Sequence, residues 1–266
     1  MDNRPVIFLD SGIGCLPYAH YFHSHNPGEK LICVADRKNF PYGQKTKEFI
    51  IEALLSLMKK LTALYNPKIL VIACNAASVS ALAALRENYP GLPIVGTVPA
   101  VKPAVMASKK RRVGVLGTAR TIADPYIAEL AAKHGPDCVI LSEAAPSLVQ
   151  FAENEWVNSS KAEIIAAVKP WTDKFINDGA DAIVLACTHF LLLKEEFVIA
   201  GPGLLIFDSV EGIGRRVEFF LDSGNGKLRS ENKKEQNMLL KITGEDDPEP
   251  HWEKKAARFG IVPEKL

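Results

Sequence analysis

No stretch of this chain approaches the ~18 consecutive apolar residues that a membrane-crossing helix requires, and the few positions before the strand-like run at Val6 leave no room for a secretory leader. A bilayer span and an export signal are therefore not expected, and the protein is read as cytoplasmic. Cysteine is sparse. The five, at positions 15, 33, 74, 138 and 187, are odd in number, widely spread and without a C-x-x-C pair. That pattern argues against both a disulfide framework and a zinc ribbon, so reduced thiols are expected. An excess of one charge is also missing, since 32 Lys and Arg face 31 Asp and Glu for a net charge of +1. Nothing in the bulk electrostatics points to nucleic acid or an anionic membrane as a partner, and a charged ligand must be met by local groups. Low-complexity segments and short repeats are absent as well. There is neither a Walker lysine nor a full G-x-G-x-x-G, so nucleotide binding is not expected.

What the chain does contain is 266 residues at 47% hydrophobic content, enough for one large α/β domain or two ordinary ones. Strand-like runs at 6–10, 31–36, 69–74, 93–97, 112–118, 138–143, 182–188 and 204–208 alternate with amphipathic patterns, notably at 45–65, 78–89, 122–133 and 162–178. Such βα alternation predicts mostly parallel sheets. The chain also falls into two similar passages. VIFLDSG opens one at Val6 and VGVLGT opens the other at Val113, and each later reaches its own Ala-Cys strand. The expectation is two pseudo-symmetric α/β lobes, residues 1–98 plus 212–266 and residues 99–211, with an active site in the cleft between them. Pro99 and Pro103 punctuate the boundary. Asp222–Gln236, glycine-rich and then charged, reads as a solvated excursion, Met238–Thr243 as an added edge strand, and Glu249–Phe259 as a final helix.

The two passages converge on a pair of cysteines. ILVIACNAAS at 69–78 and AIVLACTH at 182–189 each run a buried-type strand into Cys74 or Cys187 and then into small polar residues. A lone cysteine there is usually a small core hydrophobe. Duplication changes that reading, because ligands bind beyond strand carboxyl ends and a following helix start lowers a thiol pKa. Two such thiols suit acid/base work on one substrate from opposite sides. Cys33 and Cys138 read as core, and Cys15 is ambiguous. Asp10-Ser11-Gly12 ends the first strand and is either a helix-capping turn or a place for a carboxylate beside Cys74. Phe40-Pro41-Tyr42-Gly43 is either a surface turn or a lid whose amides meet a ligand carboxylate. Of Thr118 and Thr121, one is expected to cap a helix and the other to face the cleft. His189 lies within reach of Cys187 and suits a proton-tuning role, against the alternative of a structural histidine. His20, His23 and His25 do not share one helical face and read as solvent-facing. Cys74, Cys187 and His189 lack a fourth partner for zinc, so no metal is expected.

Taken in order, the motifs FLDSGIG at 8–14, D-x4-PYG at 36–43, VIACNxAS at 71–78, GxVPA at 96–100, LGTxxT at 116–121, PxLVxxxE at 146–153 and CTHF at 187–190 resemble the cofactor-independent aspartate/glutamate racemase superfamily, and within it the glutamate racemases. The T-G at 243–244 and A-x-x-F-G at 256–260 resemble that family's C-terminal signature. The resemblance implies that Cys74 and Cys187 are the two bases and that Asp10 and His189 assist them. It implies a glutamate pocket lined by Asp10, Ser11, Tyr42, Gly43, Asn75, Ala76, Thr118, Thr121 and Thr188, with Glu153 as a supporting acid. It further implies an isomerase that needs no cofactor, forms a homodimer and supplies D-glutamate for peptidoglycan. Three positions depart from the family: Cys15 and Ala186 stand where glycine is usual, and Ala76 where threonine is usual. Losing the hydroxyl at 76 removes a substrate hydrogen bond worth ~0.5–1.5 kcal/mol and leaves substrate choice as the open variable.

The implied chemistry removes a weakly acidic α-proton from one face of an amino acid and returns one to the other, with the sulfurs about 7 Å apart if each approaches to ~3–3.5 Å. Competing readings are a sister racemase or decarboxylase acting on another acid, a non-catalytic binding relative, and a zinc-binding module.

Overall fold

Ten strands and eleven α-helices carry the chain through residues 2–223, 238–244 and 250–266, the residues described in this computed structural model. The strands are β1 Val6–Asp10, β2 Leu31–Ala35, β3 Ile69–Ile72, β4 Ile94–Gly96, β5 Arg112–Gly117, β6 Val139–Ala144, β7 Ala182–Ala186, β8 Leu205–Phe207, β9 Met238–Ile242 and β10 Pro263–Lys265. The helices are α1 Cys15–His25, α2 Lys47–Tyr65, α3 Asn75–Asn88, α4 Val101–Ala107, α5 Ala119–Ile122, α6 Tyr126–His134, α7 Pro146–Asn154, α8 Lys161–Asn177, α9 Lys194–Ala200, α10 Val210–Ser223 and α11 Pro250–Ala257. The chain divides into two units, Met1–Thr97 with Val210–Leu266, and Val98–Ser209.

The first unit is built on a six-stranded sheet in the order β10-β9-β2-β1-β3-β4, every pairing parallel. Strands β1 to β4 are buried along their whole length, which is why VIFLD, LICVA and ILVI are continuous apolar runs and not alternating ones. On one face, α2 and α3 present Ile50, Leu54, Met58, Leu61, Ala77, Ala81 and Leu85 to Ile7, Leu9, Leu70 and Ile72. Helix α2 begins two residues later than its periodicity suggests, because Thr46 accepts from the Phe49 N–H at 3.2 Å and so caps it. It ends on Asn66, left-handed at φ 43°.

The segment 238–243 is not the edge strand expected of it. β9 lies between β2 and β10, and Pro263–Lys265, too short and polar to announce itself, takes the edge. The final helix spans Pro250–Ala257, within the stretch expected, whereas residues 224–236 of the expected surface excursion lie outside the described residues.

The second unit has a four-stranded parallel sheet in the order β6-β5-β7-β8. Its core joins Val113, Val115, Ala182, Val184 and Ala186 to Ala104, Val105, Ile127 and Ala131. Four strands of the first sheet, β2-β1-β3-β4, have the same second-first-third-fourth order, so the sequence repetition is a repetition of topology. In such an order the crevice beyond the carboxyl ends opens between the first and third strands.

Candidate functional site

In the first unit the tips of neighbouring strands line up as a row of polar groups. Asp10 closes β1. The Asp36 N–H donates to the Asp10 carbonyl at 2.7 Å just past β2, and the Ala73 N–H donates to the Leu9 carbonyl at 2.8 Å just before Cys74. Asp10, Ser11, Asn75, Ala76 and Cys74 are all buried, Cys74 at 6% exposure. Neither Asp10 nor Ser11 caps α1, whose N-cap is Gly14; the Asp10 carboxylate instead accepts from the Ser11 N–H at 2.6 Å.

Cys74 is itself the N-cap residue of α3, which starts at Asn75, three residues earlier than the sequence pattern suggests. The thiol thus adjoins a helix N-terminus and its positive end, which favours the thiolate. Ser78 secures that first turn, donating to the Ile72 carbonyl at 3.1 Å and accepting from the Thr97 N–H at 2.9 Å. Asn75 is buried at 2%, and neither of its side-chain amide atoms has a hydrogen-bond partner among the described residues. A buried amide with both ends unmet is suited to a polar ligand.

Tyr42 is not on a surface turn. It is fully buried, and its hydroxyl donates to the Asp36 carboxylate, while Gly43 beside it is half-buried. Burial first, then the charge of Asp36 and the hydrogen bond to it, then the proximity of Cys74 and Asp10, push the phenol far above its ordinary pKa, so Tyr42 stays a neutral donor.

In the second unit Gly117 pairs with Ala186 at the tips of β5 and β7, setting Thr118 and Cys187 on adjacent strand ends. Thr118 caps α5 by accepting from the Thr121 N–H at 3.3 Å. That leaves Thr121 as the other of the pair, and it is fully buried with its hydroxyl 3.0 Å from that of Thr118. The segment after Cys187 is a 3-10 stretch, Thr188–Leu193, leading into α9, and not an α-helix start, so this thiol has a different helper. The His189 Nδ1 lies 3.9 Å from the Cys187 sulfur, and its Nε2 lies 2.7 Å from Glu153 Oε2. All three side chains are buried, as is Thr188. Burial alone lowers the imidazole pKa, but the hydrogen bonds and charges of Cys187 and Glu153 outweigh it and hold His189 well above its ordinary value. The arrangement is a carboxylate, an imidazolium and a thiol in sequence.

The remaining cysteines are placed elsewhere. Cys33 is core, and Cys15 is fully buried, its thiol pushed well up by burial and by contact with Cys33, which makes Cys15 a poor nucleophile. Cys138, expected in the core, is half-buried immediately before the edge strand β6. His20 and His25 are exposed as expected, but His23 is partly covered. Among the described residues no group of three or more His, Cys, Asp or Glu side chains is arranged to hold a metal ion. No helix among the described residues is long and apolar enough to cross a membrane.

The family model described as Asp/Glu/Hydantoin racemase matches residues 19–211. A glutamate racemase of Treponema pallidum is 40% identical over 214 residues, covering 79% of this chain and 78% of that protein. One from Sphingopyxis alaskensis is 39% identical over 223 residues, covering 83% of each. The crystal structure of Escherichia coli glutamate racemase in complex with L-glutamate and the activator UDP-MurNAc-ala superposes with a TM-score of 0.83 at 31% identity, covering 99% of this chain and 98% of that one.

Proposed function

The chain belongs to the Asp/Glu/Hydantoin racemase family and is an amino-acid racemase, and from that premise we propose that it interconverts L- and D-glutamate by a two-base thiol mechanism. The observation that carries this reading is topological: Cys74 and Cys187 lie just beyond the third strand of the four-strand order that the two sheets share, each beside a positively polarised group. For Cys74 that group is the N-terminus of α3, with Asp10 at the neighbouring strand tip. For Cys187 it is the His189 imidazolium, itself held by Glu153.

In one direction the thiolate of one cysteine takes the α-proton, and the electron pair left on carbon delocalises into the substrate carboxylate. The thiol of the other cysteine then donates its proton to the opposite face and becomes the thiolate. Free cysteine titrates near 8.5, so both helpers are needed at neutral pH. Donors around the carboxylate stabilise the developing charge. In this reading Ser11, Tyr42, Gly43, Asn75, Ala76, Thr118, Thr121 and Thr188 line the pocket, and the open amide of Asn75 meets a polar group of the substrate. The use of D-glutamate in peptidoglycan synthesis, a cytoplasmic location and a homodimer belong to the same proposal.

The test is solvent deuterium incorporation at the α-carbon across a panel of amino acids. Glutamate is expected to label, and Cys74→Ala and Cys187→Ala are each expected to abolish racemisation while Cys33→Ala retains it. Near-normal turnover in either of the first two variants ends the two-base reading. Labelling of another acid in place of glutamate moves the assignment to a sister activity, the outcome for which Ala76 is the candidate cause.

A further inference from the structure

Asp36 takes no part in the chemistry proposed above, yet it is buried at 2% exposure one residue beyond β2 with hydrogen bonds to both carboxylate oxygens. Oδ2 accepts from the Tyr42 hydroxyl and, at 2.8 Å, from the Asn39 amide. Oδ1 accepts from the Thr243 hydroxyl at 2.6 Å. That hydroxyl accepts in turn from the Lys38 N–H at 3.1 Å, while the Thr243 N–H donates to the Ala35 carbonyl at 3.0 Å. Thr243 thus fastens the Asp36–Gly43 turn from a position 207 residues further along the chain than Asp36.

We propose that Thr243 is a positioning residue for the substrate pocket: through Asp36 it fixes the turn that carries Tyr42 and Gly43. The inference rests on the reading of Tyr42 and Gly43 as pocket residues. A cavity of about 530 Å³, lined in part by Asp36, Asn39, Thr243 and Gly244, lies against one side of this clasp, so on that side hydrogen bonds and not packing locate the carboxylate. Without the Thr243 hydroxyl, Oδ1 loses its donor and the Lys38 N–H its acceptor, and the carboxylate that orients Tyr42 gains room to turn. A displaced Asp36 is also felt at Asp10, since the Asp36 N–H is bonded to the Asp10 carbonyl.

The full-length protein with Thr243→Val, which keeps the side chain's shape and removes its hydroxyl, is compared with Thr243→Ser and wild type for glutamate racemisation. The Tyr42 phenol carbon is followed in parallel by NMR on tyrosine-labelled protein, with Tyr42→Phe identifying its signal. A charged hydrogen bond lost from the clasp is expected to raise KM about tenfold in Thr243→Val with a smaller change in kcat, to shift the Tyr42 signal, and to be largely reversed by serine. An unchanged KM, an unmoved Tyr42 signal or a serine variant as impaired as valine overturns the proposal. If the valine variant does not fold, Thr243→Ala replaces it under the same criteria. If wild type fails to racemise glutamate, the substrate reading falls while the Tyr42 signal still decides the clasp.

Discussion

His189 is asked to stay charged in a place where burial favours the neutral ring, and its contacts with Cys187 and Glu153 together tip the balance. An unfolded histidine titrates near 6.5, and the folded pKa is raised. The stabilisation it contributes is therefore complete below about pH 6.5 and is lost as pH rises through the folded value. In Glu153→Gln the negative partner is gone and the folded pKa falls. The expected outcome is an alkaline limb of kcat/KM displaced to lower pH in the direction that uses Cys187 as base. The melting-temperature deficit should be greatest near the acid end of that window and shrink above it. A pH–rate profile run in both directions, beside thermal melts from pH 6 to 9, checks the prediction. The conflict between burial and charge is invisible in the string CTH, which announces only proximity. The family resemblance offered Glu153 only as a supporting acid; its full burial on α7 and its pairing with His189 were not legible in the sequence.

At the scale of elements, the strands were legible because a sheet buried on both faces demands unbroken apolar runs, and ILVIA and AIVLA satisfy that demand. Short elements were not. β10 has three residues, Pro-Glu-Lys, and owes its existence to an open partner edge on β9 and not to its own propensity. The start of α3 at Asn75 was missed for a related reason: no side chain caps it in the usual manner, and Ser78, which looked like the first helical residue, works from inside the turn by tying β3 to Thr97. Ser78→Ala should cost about 1 kcal/mol, lowering the melting temperature by ~2–4 °C, with kcat/KM reduced less than in Cys74→Ala. Scanning calorimetry with steady-state rates reads both numbers.

Across the whole molecule, the contacts that secure the discontinuous unit were not legible in the sequence. Lys68 Nζ, fully buried, lies 2.5 Å from Glu29 Oε2 and donates to the Asp2 carbonyl at 2.7 Å, joining three separate segments. Replacing it with methionine leaves a buried carboxylate without its counter-charge, and a loss of ~3–5 kcal/mol in urea unfolding is expected. Such partners are dozens of residues apart, and no local pattern in either segment marks them. The Asp36–Thr243 pair, more widely separated still, was equally silent.

The interrupted unit also has a consequence for biosynthesis. Strand β9 inserts between β2 and β10, so the sheet beside Cys74 cannot be completed until the chain beyond the second unit has been translated. The unit encoded in the middle, Val98–Ser209, has every strand it needs as soon as it leaves the ribosome. Order of emergence and order of completion are therefore reversed: the half that is begun first is finished last, and until then the outer edge of β2 is open.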